Sequence, residues 1–422
     1  MKVPNPLEDA PWWAKWTVWL GQYTVGYLVR IHIRRVQRSR ESPRLYDYLN
    51  WKYQDACLLR RGEYTYPVAV YAVQDRDDWR QQAHHPNSVL PQRQSSNVHH
   101  ALQTVEGESI ASFLARCVRS KSYRWMMVAA GYFANPRDSR KTFAMAGLDV
   151  DSDRLTMTCY QGSYFDVIDS CESLEWELLH AIPRLRSAQD RAIRKFDRSL
   201  RLRAKLHSQV ADPITNGEGR CAGIGISTLI AYRDGSVINL MIKKRSSSTV
   251  ASHPGGVHVI PSGMFQEFTD ETDKEFNVIH TIRREYLEEL FSVPESEYHG
   301  QPAQSFFGDP RMQYVSRLIT DGKAKLYFTG VGVNLLTLRP EICTLLWIDD
   351  PKWWRDHSRD PNFQHIHYNE EFVTGVGAVI YRDSDRELIE MAPLAPSDMV
   401  PSGAAAFWLG VDVLRSELQK SL

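Results

Sequence analysis

The sequence lacks a net charge, because 51 Lys and Arg residues balance 51 Asp and Glu residues. Attraction of the whole molecule to nucleic acid or to a membrane is therefore not expected, and only local patches could make such contacts. Six cysteines are present, but no two form a Cys-x-x-Cys pair and none lies at zinc-site spacing from a histidine. Scattered cysteines of this kind are typical of buried thiols in a reducing compartment. The N-terminus also lacks a secretory signal, so a cytoplasmic protein is predicted.

The N-terminal segment, residues 1–44, lacks an uninterrupted hydrophobic run, because Lys15 and Gln22 break it, and a spanning helix is not favoured. On a helix, its aromatic residues form one stripe, which arginines follow. The stripe is Trp12, Trp16, Trp19, Tyr23 and Tyr27, and the arginines are Arg30, Arg34, Arg35, Arg38, Arg40 and Arg44. This pattern is typical of a helix in a membrane interface, and also of one that docks on this protein or on a second copy. A membrane surface and a homo-oligomer both stay open.

Residues 45–210 are predicted to form a separate α/β unit with strands at 64–73, 125–133 and 155–160 and a helix at 166–185. The unit ends in a basic run at residues 184–205. Such a run could bind nucleic acid phosphates, but it is more typical of the solvated face of a connecting helix, so nucleic acid is not expected as a partner. Residues 212–219 are rich in Gly, Pro, Asp and Asn and are predicted to be a linker.

Residues 255–291 combine a strand, a glycine turn and an amphipathic helix. Valines alternate along the strand, and Ser262 and Gly263 end it. Residues 274–291 are predicted to be helical, because apolar residues recur there at spacings of three and four. Further strands are predicted at 314–319, 324–336 and 342–348, and a closing helix at 403–420.

Three acids distinguish this helix from an ordinary core helix. Glu285, Glu288 and Glu289 lie at positions i, i+3 and i+4 and project from one side of it. Like charges at this spacing repel one another. The helix can expose them to solvent, with Arg283 and Arg284 as partners. It can also neutralise them with a hard divalent cation such as Mg²⁺, which prefers carboxylate oxygens.

Several segments of the chain resemble the Nudix family. Residues 284–290 resemble the Arg-Glu-U-x-Glu-Glu core of the Nudix box, residues 261–263 resemble the turn that opens it, and residues 226–245 resemble the family's first hairpin. The resemblance covers residues 220–422 and implies a mixed sheet between helices. The expected fold class is therefore α/β, with this Nudix-like part preceded by the separate unit at 45–210.

The resemblance also implies an activity and a site. The activity is Mg²⁺- or Mn²⁺-dependent hydrolysis of a nucleoside diphosphate linked to another group, so a nucleotide-like small molecule is the expected partner. The residues that match the metal-binding and base positions are Glu285, Glu288 and Glu289, with Arg284 as the arginine that holds them in place. The candidates for substrate binding are Lys244, Arg245 and Gly263.

Three departures from the family pattern favour a second interpretation. The spacing from Gly263 to Arg284 is longer than in the family, Phe276 stands at the upstream acidic position, and Phe291 stands where a glycine follows the paired acids. In this interpretation the chain is a Nudix-like module that senses a nucleotide or holds a partner without turnover. The retained arginine and three acids favour the enzyme, and both interpretations stay open.

Overall fold

The computed structural model describes residues 26–72, 92–93, 122–130, 140–150, 155–235, 237–246, 253, 255–268, 272–293, 308–359, 366, 372–373, 379–382, 387–390 and 394–420. Most of the predicted aromatic stripe falls in residues 1–25 and lies outside the described residues. Within the described part of the chain, no helix has both the length and the apolar content needed to cross a membrane.

The first half of the chain contains both helices and strands. The helices are α1 (26–37), α2 (Pro43–Lys52), α3 (122–129), α4 (Tyr164–Val167, then Ile168–Glu172 in π-helical form, then Ser173–Ala181), α5 (Asp190–Asp197) and α6 (Arg201–Gln209). The strands are β1 (Leu58–Arg61), β2 (Tyr64–Ala72), β3 (Gln92–Arg93), β4 (Lys141–Val150) and β5 (Leu155–Ser163). The predicted strands at 64–73 and 155–160 and the helix at 166–185 are thus confirmed.

The second half carries most of the strands. They are β6 (Ala222–Gly223), β7 (Gly225–Asp234), β8 (Val237–Leu240), β9 (Ile242–Arg245), β10 (Val257–Val259), β11 (Ser262–Met264), β12 (Ala324–Asn334), β13 (Arg339–Ile348), β14 (Phe372–Val373), β15 (Val379–Arg382) and β16 (Glu387–Glu390). The helices are α7 (Val278–Phe291), α8 (Pro310–Thr320), α9 (Pro351–Arg359) and α10 (Pro401–Lys420). The predicted closing helix and the strands β12 and β13 are confirmed.

Two predicted strands are wrong, because their apolar residues follow a helical period. Tyr123 and Met127 of α3, and Ala130 just after it, are buried at spacings of four and three. In α8, Met312, Val315 and Leu318 are buried at spacings of three, and the side chain of Asp309 caps the helix just before Pro310. Short apolar runs are compatible with either structure until packing decides between them.

The main sheet is mixed and has helices on both faces. Its strand order is β1-β2-β12-β13-β7-β8-β15-β16, with β11 paired to the first half of β7, and β13 runs parallel to β7. Alternate residues of β7 face opposite ways: Leu229 packs in the core cluster under α10, and Ile230 packs in the cluster that contains residues of α7, α8 and α9. A mixed α/β fold is therefore confirmed.

The sheet and its core extend across the predicted domain boundary. Strand β2, from the first half of the chain, pairs antiparallel with β12. One core cluster contains residues from both halves, including Leu49, Phe143, Phe265 and Ile342. The two-domain layout predicted from the sequence is not confirmed.

The segment predicted to be a linker packs against β4. Leu148 N donates to Thr215 O at 2.7 Å, and Gly217 N donates to Ala146 O at 2.8 Å. The fully buried guanidinium of Arg220 donates to the carbonyl oxygens of Pro213, Asn216 and Leu338. Glycine and proline mark tight turns inside a fold as well as linkers, so composition does not separate the two cases.

Candidate functional site

The acids of the Nudix-like box lie on α7, which starts and ends with well-defined caps. The side chain of Asn277 accepts hydrogen bonds from Ile279 N at 3.0 Å and His280 N at 3.4 Å. Ser292 adopts the left-handed conformation that ends the helix. The helix predicted at 274–291 is thus confirmed from Val278 onward, with a separate short α-helix at Thr272–Glu275 before it.

Glu285 packs directly on the glycine of β11. A Cβ atom added to Gly263 would lie 2.1 Å from the Glu285 carboxyl carbon, so the carboxylate occupies the space that a side chain would need. Arg284 donates to the Glu285 carboxylate at 2.8 Å, and both side chains are buried. Only glycine allows the strand to approach this acid so closely.

Arg284 also holds the loop that follows β11. Its guanidinium donates to Met264 O at 3.2 Å and to Gln266 O at 3.5 Å. The same group lies 3.7 Å from the ring centre of Phe268, a cation–π contact. A planar guanidinium can make both kinds of contact at once, so Arg284 fastens the loop to α7.

Glu289 reaches the residue next to Gly263. Its buried carboxylate accepts a hydrogen bond from Ser262 N at 2.8 Å. Glu285 and Glu289, one turn apart on α7, therefore meet consecutive residues of β11. Glu288 lies between them in sequence and is half-buried. The structure thus brings together Glu285, Glu289, Arg284 and Gly263.

Glu285, Glu288 and Glu289 all carry carboxylates, the kind of ligand that hard divalent cations prefer. In the arrangement described, Glu285 is bonded to Arg284 and Glu289 is bonded to Ser262 N. Among the described residues, no three His, Cys, Asp or Glu side chains are grouped so that they could hold a metal ion. As placed, Glu289 joins the strand to the helix, and each of the two carboxylates has a second oxygen that these hydrogen bonds do not use.

The two predicted cationic residues lie on β9, in a three-stranded sheet with β10 and β14. Lys244 pairs with Val257 in the register of that sheet. Burial, together with the charge of Arg245, lowers the pKa of His258 to about 3. Arg245 also lowers the pKa of Glu341, against the larger effect of burial.

A polar cluster around the half-buried Glu341 was not predicted from the sequence. The Glu341 carboxylate accepts a hydrogen bond from the Ser227 hydroxyl, and Arg339 pairs with Glu172 at 2.7 Å. Arg339 Nε also donates to Gly223 O at 3.1 Å. These residues come from α4, β6, β7 and β13, so no local pattern in the sequence could have identified them as a cluster.

Glu341 is expected to make stability depend on pH. Burial raises its pKa from 4.5 to about 7, against the Ser227 hydrogen bond and the charges of Arg339 and Arg245. Between these two pH values the folded chain holds a proton that the unfolded chain releases, so stability falls as pH rises. Glu341→Gln should remove this loss. The unfolding free energy of the variant relative to wild type should increase by about 2–3 kcal/mol from pH 4.5 to pH 8.

Denaturant titrations of both proteins at several pH values measure this difference. Histidines such as the half-buried His207, whose pKa is lowered to about 3 mainly by desolvation, change stability in the opposite direction but equally in both proteins. Parallel stability curves for wild type and variant would show that the Glu341 carboxyl ionises normally.

The chain was also compared with known proteins, and neither a protein-family model nor a curated protein matches it. The resemblance to the Nudix family therefore rests on the box residues themselves. What the structure adds is the placement of Glu285 and Glu289 against consecutive residues of β11.

Proposed function

We propose that the protein is a Nudix-type hydrolase that uses Mg²⁺ or Mn²⁺ to cleave a nucleoside diphosphate linked to another group. One observation carries the proposal: the acids Glu285 and Glu289 of α7 meet Gly263 and Ser262 of the preceding strand. A strand, a glycine turn and an acidic helix in this order are what the Nudix-like box residues imply. The mixed sheet between helices supports the same assignment at the level of fold alone.

Each box residue has a role in this proposal. Arg284 orients the Glu285 carboxylate and holds the loop after β11. Glu285, Glu288 and Glu289 would hold the divalent ion, and when bound the ion would neutralise charge on the diphosphate and activate water. Gly263 leaves room for a close approach to the backbone of β11. Lys244 and Arg245 stay candidates for contacts to phosphate oxygens.

A second candidate function is a nucleotide-binding module without turnover. It is favoured by the bonds that Glu285 and Glu289 already make, to Arg284 and to Ser262 N. It is also favoured because the described residues contain no ready group of metal ligands. In this case the acids have a structural role, and a nucleotide-like molecule would bind without being cleaved.

Metal binding is expected to raise the melting temperature. An ion that binds only the folded state stabilises it by mass action, so millimolar Mg²⁺ or Mn²⁺ should raise the melting temperature of wild type. Glu288→Gln should weaken this rise, and it leaves the Arg284–Glu285 and Ser262–Glu289 contacts intact. The effect should fade as pH drops toward the usual glutamate pKa of about 4.3, because protonated carboxyls do not bind the ion. Glu63→Gln, which alters an exposed acid in the turn between β1 and β2, is the matched control.

A screen of nucleoside diphosphate derivatives, run with either ion, separates the two functions. Hydrolysis by wild type that Glu288→Gln reduces by about 100-fold or more supports the enzyme. If a derivative raises the melting temperature but no derivative is hydrolysed, the result supports the binding module. If neither ion raises the melting temperature of wild type, or if the ions raise that of Glu288→Gln equally, the acids do not bind metal and the catalytic proposal fails.

A further inference from the structure

Exposed apolar side chains concentrate on α1 and α3. In the described part of the chain, seven large apolar residues are exposed, and four of them lie on these two helices. They are Tyr27, Leu28 and Ile31 of α1, exposed by 59, 58 and 46%, and Trp125 of α3, exposed by 61%. Several exposed apolar side chains on two neighbouring helices are typical of an interaction site.

The two helices are packed against each other and against α4 through their other faces. Ile33 is fully buried in a cluster with Met127 of α3 and Ile168 of α4. Arg30 Nε donates to Ala130 O at 2.6 Å, which joins the two helices at the surface. The exposed apolar side chains are therefore additional to those that the packing of the helices requires.

The same surface is basic. Arg30, Arg34, Arg35 and Arg38 are exposed, and residues 26–38 and 122–130 contain no Asp or Glu. Spacings of three and four place Tyr27, Ile31, Arg34 and Arg38 on one side of the helix, away from Ile33. Apolar side chains thus lie near the start of this exposed side and guanidinium groups near its end.

We propose that the exposed sides of α1 and α3 form a docking surface for an anionic membrane. Apolar side chains can enter the boundary between headgroups and acyl chains, while arginines pair with lipid phosphates. Nucleic acid would use the arginines but would leave Leu28 and Ile31 without an apolar partner. The sequence before α1 is rich in Trp and Tyr, residues that are enriched at membrane–water interfaces. This surface is separate from the proposed hydrolase site and does not depend on it.

Sedimentation of the full chain with vesicles tests the proposal. The protein should pellet with vesicles of phosphatidylcholine and phosphatidylserine and stay in solution with phosphatidylcholine alone. Added salt should weaken the association, because it screens the arginines from the lipid charge. Equal sedimentation with the two kinds of vesicle, or none with either, would overturn the proposal.

Two sets of variants separate the contributions. Replacing Arg34, Arg35 and Arg38 by Gln should lower the partition coefficient about fivefold for each arginine, on the order of 100-fold together. Leu28→Ser and Ile31→Ser should each lower it on the order of tenfold. The control is Val150→Ser with Ile319→Ser, which alters two exposed apolar residues outside the two helices and should leave the partition coefficient unchanged.

The oligomeric state provides an independent check. All these substitutions are at exposed positions, so the variants should fold, and unchanged melting temperatures would establish that they do. If wild type is a dimer in solution and Leu28→Ser makes it a monomer without changing sedimentation with vesicles, the surface binds a second copy and the membrane proposal is wrong. If Leu28→Ser leaves the oligomeric state unchanged and lowers the partition coefficient as expected, the result supports the membrane proposal.

Discussion

Gly217→Ala is expected to lower the free energy of unfolding by about 3 kcal/mol or more. An added Cβ would lie 1.8 Å from Met145 O and 2.7 Å from Met145 C. Both are backbone atoms of β4, and β4 is held by its pairing with β5, so they cannot move aside as a flexible side chain would. Either the contact between residue 217 and Ala146 O breaks, or β4 is displaced.

Gly147→Ala is the matched control, because Gly147 bridges to Asn216 in the same region and a Cβ there would meet nothing within 4 Å. Its unfolding free energy should be close to that of wild type. Denaturant titration measures both variants, with the midpoint reporting stability and the slope reporting any change in compactness.

The same pair of variants tests the predicted boundary. If residues 212–219 are a linker, wild type should be cut there first by protease and Gly217→Ala should be tolerated. The contacts of Thr215, Gly217 and Arg220 lead us to expect the opposite, protection of this segment in wild type. Early cleavage near Asn216 in wild type, together with a stable Gly217→Ala variant, would contradict this expectation.

Arg284→Met should have the largest effect of any substitution in the box, a loss of about 3–5 kcal/mol. The variant removes the cation beside the buried Glu285 carboxylate, and breaking one partner of a buried ion pair is strongly destabilising. It also removes the donors to the carbonyl oxygens of Met264 and Gln266 and the contact with Phe268. The loop after β11 should lose its connection to α7.

Arg283→Met is the control for this substitution, since it changes the same residue type at the neighbouring position, which is half-buried. It should cost about 1 kcal/mol or less. The single variants and the combination of Arg284→Met with Glu285→Gln form a double-mutant cycle. Glu285→Gln should restore part of the unfolding free energy that Arg284→Met loses, because it removes the buried charge. Equal losses for Arg283→Met and Arg284→Met would show that the box arginine does not organise this site.

The effect on function should exceed the effect on stability. Under the proposed hydrolase function, Arg284→Met should abolish the response of the melting temperature to Mg²⁺ or Mn²⁺, because Glu285 is no longer oriented toward β11. Measurements well below the melting temperature of the variant separate this loss from unfolding. A variant that still responds to the ions as wild type does would place the metal ligands elsewhere.

The sequence by itself determined the elements whose residues follow a clear local period. The apolar spacing of α7, the valine, leucine and isoleucine content of β12 and β13, and the closing helix α10 each come from residues close together in the chain. It also placed Glu285 and Glu289 on one side of α7, because helix geometry alone fixes that relation.

Only the tertiary structure decided which distant segments meet. Residues 212–219 carry the composition of a linker, and it is the close approach of Gly217 to Met145 that makes the segment part of the core. Glu341 is an unremarkable residue in sequence, and its raised pKa arises from burial beside a different strand that carries Ser227. Burial and electrostatic effects of this kind depend on neighbours that are separated along the chain by a hundred residues or so, and a local pattern carries no information about them.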